Sequence, residues 1–286
     1  MNGSSAAAGV GLLSAASWGG SDFVGGLGAR RAPALLVVAS GQIISLLLLF
    51  ALCRGMHVAL PATRFLVYAA LGGFEGSLAL AAFYRALAMG AMGLTAALTG
   101  LLTALIPVVF TLLREGLPTP LTAVGLALGL AAIWLITRKS TATGPEATAH
   151  ATPPAALLLA TLSGIGFGVQ LILFKMASNG GILWAMTSTR VSGVAALLLV
   201  LAIMPPKAPW RGFWLIGILA GALDTFGNLF YLEAARFGRL DVAAVVCSLY
   251  PGGTILLAAI VLREWPTRRQ MAGIAVALAA VVLLSL

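Results

Sequence analysis

The chain has 286 residues, of which 60% are hydrophobic and 9% charged, with a mean hydropathy of +1.05. A soluble domain carries roughly 25% charged residues, so the missing charges exclude a water-solvated surface and leave lipid as the solvent. The formal charge of +9 does not indicate nucleic acid, because Lys and Arg fall singly or in pairs between apolar runs, as at a membrane surface.

Ten apolar runs, each near the ~20 residues that cross a bilayer, follow one another. The first, 6–27, contains Asp22 and lacks a preceding basic segment, so it reads as a retained helix rather than a cleaved signal. Arg30-Arg31 and Pro33 close it. Runs 33–53 and 64–87 follow, separated by Arg54 to Arg64; run 91–113 contains Pro107 and ends in Arg114-Glu115. Pro118 and Pro120 introduce 120–137. A Thr-, Ala- and Pro-rich connection ending at Pro153 reads as a linker. The second half runs 154–176, 181–203, 211–235, 240–262 with Pro251 inside, and 268–286. Cys53 and Cys247 have no metal-ligand spacing, and no metal or cofactor is expected.

The halves are copies. At an offset of 148–149 residues Trp18-Gly19 matches Phe167-Gly168, Glu75 matches Asp224, and Ala86 to Gly90 matches Ala234 to Gly238. Arg114-Glu115 with Pro118-Thr119 likewise matches Arg263-Glu264 with Pro266-Thr267. Colinear matches predict a duplicated five-helix unit, residues 1–140 and 154–286, joined by 141–153. An odd number of spans per unit inverts the second copy, as in transporters that expose one midplane site alternately to either side. The predicted fold is therefore an all-α membrane protein of ten transmembrane helices, two inverted five-helix repeats around a central cavity.

Mid-span ionisable groups cost at least ~2.5–3.5 kcal/mol each and usually face the bundle interior. Asp22, Glu75, Arg190 and Asp224 are of this kind. They extend into helical-period stripes: Ser14, Trp18 and Asp22; Asp224, Asn228 and Tyr231; Thr95, Thr99 and Thr103; Ser163, Phe167 and Gln170; Trp184, Ser188 and Val191. Converging stripes would make a cavity in which Arg190 takes a carboxylate and Asp22, Glu75 or Asp224 an ammonium. Gln170 and Asn228 would add polar contacts, and Trp18, Tyr84, Trp184, Tyr231 and Tyr250 would receive an apolar side chain. Simpler roles compete with these: interfacial anchoring for Trp18 and Trp184, helix packing for the Thr stripe, structural pairing for the four charges. Pro107 and Pro251 each remove a backbone hydrogen bond inside a span, which suits gating.

Several segments resemble the drug/metabolite transporter superfamily in its ten-helix EamA branch. They are Ala-Ser-Trp-Gly-Gly-Ser-Asp-Phe (16–23), Phe-Tyr-Arg-Ala-Leu-Ala-Met-Gly (83–90), Leu-Arg-Glu-x-x-Pro (113–118) and Leu-Arg-Glu-Trp-Pro (262–266). The resemblance implies a bundle around a central cavity, metabolite export, and a bacterial inner membrane with cytoplasmic termini. It also implies a proline near Leu102; Pro107 lies five residues later. The positive-inside rule opposes cytoplasmic termini, since they would leave Arg30, Arg31, Arg138, Lys139, Lys207, Arg211, Arg263, Arg268 and Arg269 outside.

The expected activity is export of amino acids, including aromatic or other apolar ones, with cationic drugs and polyamines as rivals. The expected partners are the lipid bilayer and a small-molecule substrate, no nucleic acid, and a monomeric assembly. An enzyme is not expected: no His-Glu-x-x-His or phosphate-binding loop occurs, and neither histidine lies mid-span.

Overall fold

The computed structural model describes residues 3–89, 92–137, 153–205, 214–261 and 267–285. These form eleven helices: α1 (Gly3–Ala29), α2 (Ala34–Gly55), α3 (Thr63–Met89), α4 (Met92–Glu115), α5 (Pro120–Thr137), α6 (Pro154–Ser178), α7 (Ile182–Ile203), α8 (Trp214–Phe237), α9 (Leu240–Cys247), α10 (Tyr250–Val261) and α11 (Arg268–Ser285). Nearly all of the predicted linker lies outside the described residues.

Seven segments are long and apolar enough to cross a bilayer: α2, α3, the Leu98–Glu115 part of α4, α6, α7, α8, and Leu240–Val261 across α9 and α10. Two shorter apolar helices, Pro120–Leu135 and Met271–Leu284, lie within α5 and α11. Helix α1 reaches about 40 Å at 1.5 Å per residue, but its glycines, serines and Asp22 dilute its hydropathy. It packs among α3, α8, α9 and α10, so much of its surface meets protein rather than lipid. The outward faces carry Leu47, Leu48, Leu71, Phe74, Leu158, Leu162, Leu198 and Leu199, all exposed. In water that belt would be a liability; in a bilayer it is the matched surface. The protein is an all-α, multi-span membrane protein.

Helix packing is largely symmetric between α1–α5 and α6–α11. Mapping α1 to α6, α2 to α7, α3 to α8, α4 to α9 plus α10, and α5 to α11 turns most of the larger contacts into others, α4–α5 excepted. Thus α1 packs on α8 as α6 packs on α3, and α2 packs on α8 as α7 packs on α3. Helix α4 packs on α6 as α9 and α10 pack on α1, while α2–α7 and α5–α11 map onto themselves. Helices α1–α5 therefore bury much of their surface against α6–α11, and the site lies where the two sets meet. The α2–α8 crossing requires glycine: a Cβ on Gly41 would stand 2.5 Å from Gly217 O and 2.9 Å from Gly221 Cα.

The one departure from a ten-helix pattern is the ninth span, which breaks at Ser248-Leu249 into α9 and α10. Pro251 sits in the first turn of α10, where its missing N–H has no intrahelical partner to lose. The Ser248 N–H closes α9 onto Ala244 O at 2.9 Å. Pro107, by contrast, lies within α4, which continues through it. The two halves thus use proline differently, and the interrupted span is in the second.

Candidate functional site

A polar cavity of about 50 Å³ lies between the units. Since roughly 10–15 Å³ holds one water, it admits a few waters in this conformation. Its charged floor comes from α7 and α8. Arg190 is buried, 4% exposed, and its Nη2 donates to Asp224 Oδ2 at 2.5 Å. The other guanidinium nitrogen, Nη1, donates to Gln42 Oε1 of α2 at 3.0 Å. Asn228, one turn after Asp224, donates from Nδ2 to the same Oδ2 at 3.0 Å and to Asp224 O at 2.8 Å. A hydroxyl pair extends the network: Ser45 and Thr225 share a hydrogen bond of 2.6 Å. Three helices are thereby joined by side chains near their midpoints.

The opposite wall is α1. Ser14 Oγ donates to Gly227 O at 2.8 Å, fixing the face of α1 that turns toward α8. One and two turns later that face presents Trp18 and Asp22 to the cavity. Asp22 is buried and makes no side-chain hydrogen bond among the described residues; it lies within Coulombic reach of Asp224.

Aromatic rings close the rest. Trp18 stands edge-on to Tyr250 at 6.4 Å between centroids and tilts against Tyr231 at 5.8 Å. Phe83 stands edge-on to both Phe167 and Tyr250. Gln170, whose Nε2 donates to Gly72 O at 3.2 Å, and Phe167 supply the α6 side of the wall, and Thr103 supplies that of α4.

Of the residues expected from sequence, Trp18, Asp22, Gln170, Arg190, Asp224, Asn228 and Tyr250 line this cavity. The others do not. Tyr84 is fully buried behind the wall, its hydroxyl paired with Ser21 Oγ at 3.0 Å. Tyr231 backs Trp18, and its hydroxyl donates to Leu171 O at 2.7 Å. Trp184 lies in the first turn of α7 and its Nε1 donates to Val58 O at 3.0 Å, tying down the loop after α2. Glu75 faces the α3–α6 seam, over Gly166. Thr99 Oγ1 donates to Ala160 O at 3.0 Å, joining α4 to α6, so that part of the Thr stripe is packing. Pro251 packs near Gly100, where α10 meets α4.

Sequence reading missed Gln42, the residue that shares Arg190. The signal was present: Gln42 is an amide inside an apolar run, and it precedes Arg190 by 148 residues, the repeat offset. The Gln42–Arg190 hydrogen bond therefore joins equivalent positions of the two units.

A second cavity of about 280 Å³ opens at one end of the bundle, lined by Phe110, Ile172, Met176, Glu115, Lys175 and Arg239. Arg239 lies 3.7 Å from Glu115 at the end of α4, and bonds Asp241 through Nε at 3.2 Å and Nη2 at 3.1 Å. Asp241 is fully buried and also accepts from the Val242 N–H at 2.8 Å. Its hydrogen bonds hold the Arg239 guanidinium above its ordinary pKa. Lys175 Nζ donates to Ala235 O at 2.5 Å. These contacts draw the ends of α4, α6, α8 and α9 together into a latch.

No curated protein matches the chain in sequence. A solved structure described as "Crystal structure of protein" superposes with a TM-score of 0.71, covering 97% of this chain and 95% of that one, at 17% identity. At that identity the likeness is one of fold. A model of the EamA-like transporter family matches residues 154–286.

Proposed function

We propose that the protein exports small metabolites, foremost amino acids with aromatic or other apolar side chains. It does so by alternating access through the cavity between two five-helix units, residues 1–140 and 154–286. The carrying observation is a small cavity lined by acidic and basic side chains beside an aromatic wall: Asp22 unbonded, Arg190 on Asp224, Trp18 and Tyr250 edge to face. An incoming ammonium takes Asp22. The substrate carboxylate replaces Asp224 on Arg190, and Asn228 retains the displaced Asp224. The apolar side chain lies against Trp18, Phe167 and Tyr250. Since the present cavity holds only a few waters, binding requires the units to part, and the break at Ser248-Leu249 gives the α9–α10 span a place to bend. The setting proposed is a bacterial inner membrane, as a monomer with cytoplasmic termini.

Counterflow in proteoliposomes tests this. Preloaded unlabelled amino acid should accelerate uptake of the labelled one, and absence of stimulated exchange with any of the twenty ends the amino-acid reading.

One observation favours a second reading, a purely cationic amine: Arg190 is already engaged by Asp224 and Gln42, which leaves Asp22 as the acid on the cavity wall without a basic partner among the described residues. The variant Arg190→Ala separates the two. An amino-acid exporter loses exchange, whereas an amine exporter retains it and loses it in Asp22→Asn.

A further inference from the structure

One intramembrane carboxylate is left over. Glu75 stands near the midpoint of α3 and turns away from the cavity, toward α6. There it lies over Gly166, near the midpoint of that helix, so close that a Cβ on Gly166 would collide with Glu75 Oε1. Its Oε2 is buried and accepts no hydrogen bond among the described residues. Around the seam the surface is hydrocarbon: Leu71 and Phe74 on α3 and Ile165 and Val169 on α6 are exposed on the outer face. The adjoining Gly76 turns the other way and helps line the cavity. Glu75 is thus a carboxyl at mid-bilayer depth, outside the cavity wall.

Nothing packed against it supplies a countercharge. On α6 the charged residue is Lys175, nine residues past Gly166 or about 13 Å along the axis, with its Nζ on Ala235 O. On α3 itself Arg64 and Arg85 are about 15 Å or more away and exposed; Tyr68 is two turns off, and Tyr84 is paired with Ser21. Helix α7 offers Arg190, committed to Asp224 and Gln42. Helix α1 offers Asp22, an acid on the cavity side. Those of α2 and α4 (Arg54, Arg114, Glu115) lie in the last turns of their helices.

The duplication explains the deficit. Glu75 is the repeat equivalent of Asp224, and the position equivalent to Arg190, Asp224's partner, is Gln42. The second unit holds its carboxylate with a guanidinium, whereas the first offers an amide, and that amide is already bonded to Arg190. An ionised Glu75 would be an unpaired charge in lipid, which the bilayer does not tolerate.

We propose that Glu75 is a proton-binding site, a carboxylic acid held in the α3–α6 seam that exchanges its proton with water when α6 moves off α3. In the exchange the O–H bond breaks, the electron pair stays on the carboxylate, and the proton passes to water. The site does not depend on what the cavity carries.

The test needs no substrate. The full chain in lipid nanodiscs is treated with dicyclohexylcarbodiimide, a lipid-soluble reagent for protonated carboxyls, and the adduct is located by peptide mass spectrometry across a pH series. Glu75 should be modified at neutral pH, less as the pH rises, and Glu75→Gln should lose the adduct while melting with the parent, since Gln imitates the neutral acid. Gly166→Ala, which displaces the carboxyl from the seam, should reduce the modification in a protein that still folds. Modification of Asp22 or Asp224 with Glu75 untouched overturns the proposal. So does a Glu75 adduct independent of pH. If Glu75→Gln does not fold, the pH series on the parent decides alone.

Discussion

Replacing Arg190 by methionine keeps most of the side-chain volume and deletes the guanidinium that α2, α7 and α8 share. Breaking a buried pair by removing one partner costs about 3–5 kcal/mol, because the other charge is stranded. Asp224 retains 16% side-chain exposure, toward the cavity, and Asn228 still donates to it, which places the loss near the low end, about 3 kcal/mol. At roughly 2–4 °C per kcal/mol for a chain of 150–250 residues, Arg190→Met should melt about 6–12 °C below the parent. Asp224→Leu should fall comparably, leaving Arg190 with Gln42 and a long 3.5 Å hydrogen bond to Thr225. The double variant removes both charges and should recover to within about 1 kcal/mol of the parent. Thermal unfolding of the four proteins in one detergent, at one pH, reads the cycle. Two equal and additive losses, or a single loss below about 1 kcal/mol, would refute the pairing argument, since exposed pairs are worth no more than that.

Four further outcomes follow from the same geometry. Asp22→Asn should abolish counterflow without lowering the melting temperature, because Asp22 makes no side-chain hydrogen bond among the described residues. Gly41→Leu should cost about 1–3 kcal/mol by forcing α2 off α8, read as a lower melting temperature with no gain in exchange. Pro251→Ala restores a backbone donor at the α9–α10 break; exchange should slow while thermal stability holds or rises. Asp241→Ala removes a buried partner of Arg239 and of the Val242 N–H, and should cost about 1–2 kcal/mol, in the range for a lost cap, with salt dependence reduced relative to the parent.

Helical period carried much of the site. Trp18 and Asp22 could be placed together because they are one turn apart on a helix whose outer residues are apolar, and Asp224 with Asn228 for the same reason. Period alone does not say which way a residue turns when its neighbours are small. On α3, Gly72, Gly73 and Gly76 form the buried face, and Glu75, about 100° round from Gly76, turns to the seam. Trp184 shared a stripe with Ser188, but it sits in the first turn of α7, where a loop carbonyl claimed its indole N–H. Gln42 was hidden in a run with nine leucines and isoleucines, where an amide and the repeat arithmetic were the signals that marked it. The two prolines looked alike in sequence; position within the turn decided that Pro251 opens a helix while Pro107 is carried inside one.

The latch at Arg239 has no twin. The repeat alignment puts Gly26 where Lys175 stands and Ala91 where Arg239 stands. A machine with two interchangeable mouths would dwell equally in either state, and each surface ion pair present at only one mouth tips that balance by up to about 1 kcal/mol, a factor of about five. The bias weakens with ionic strength, so salt should set the direction in which the bundle prefers to rest.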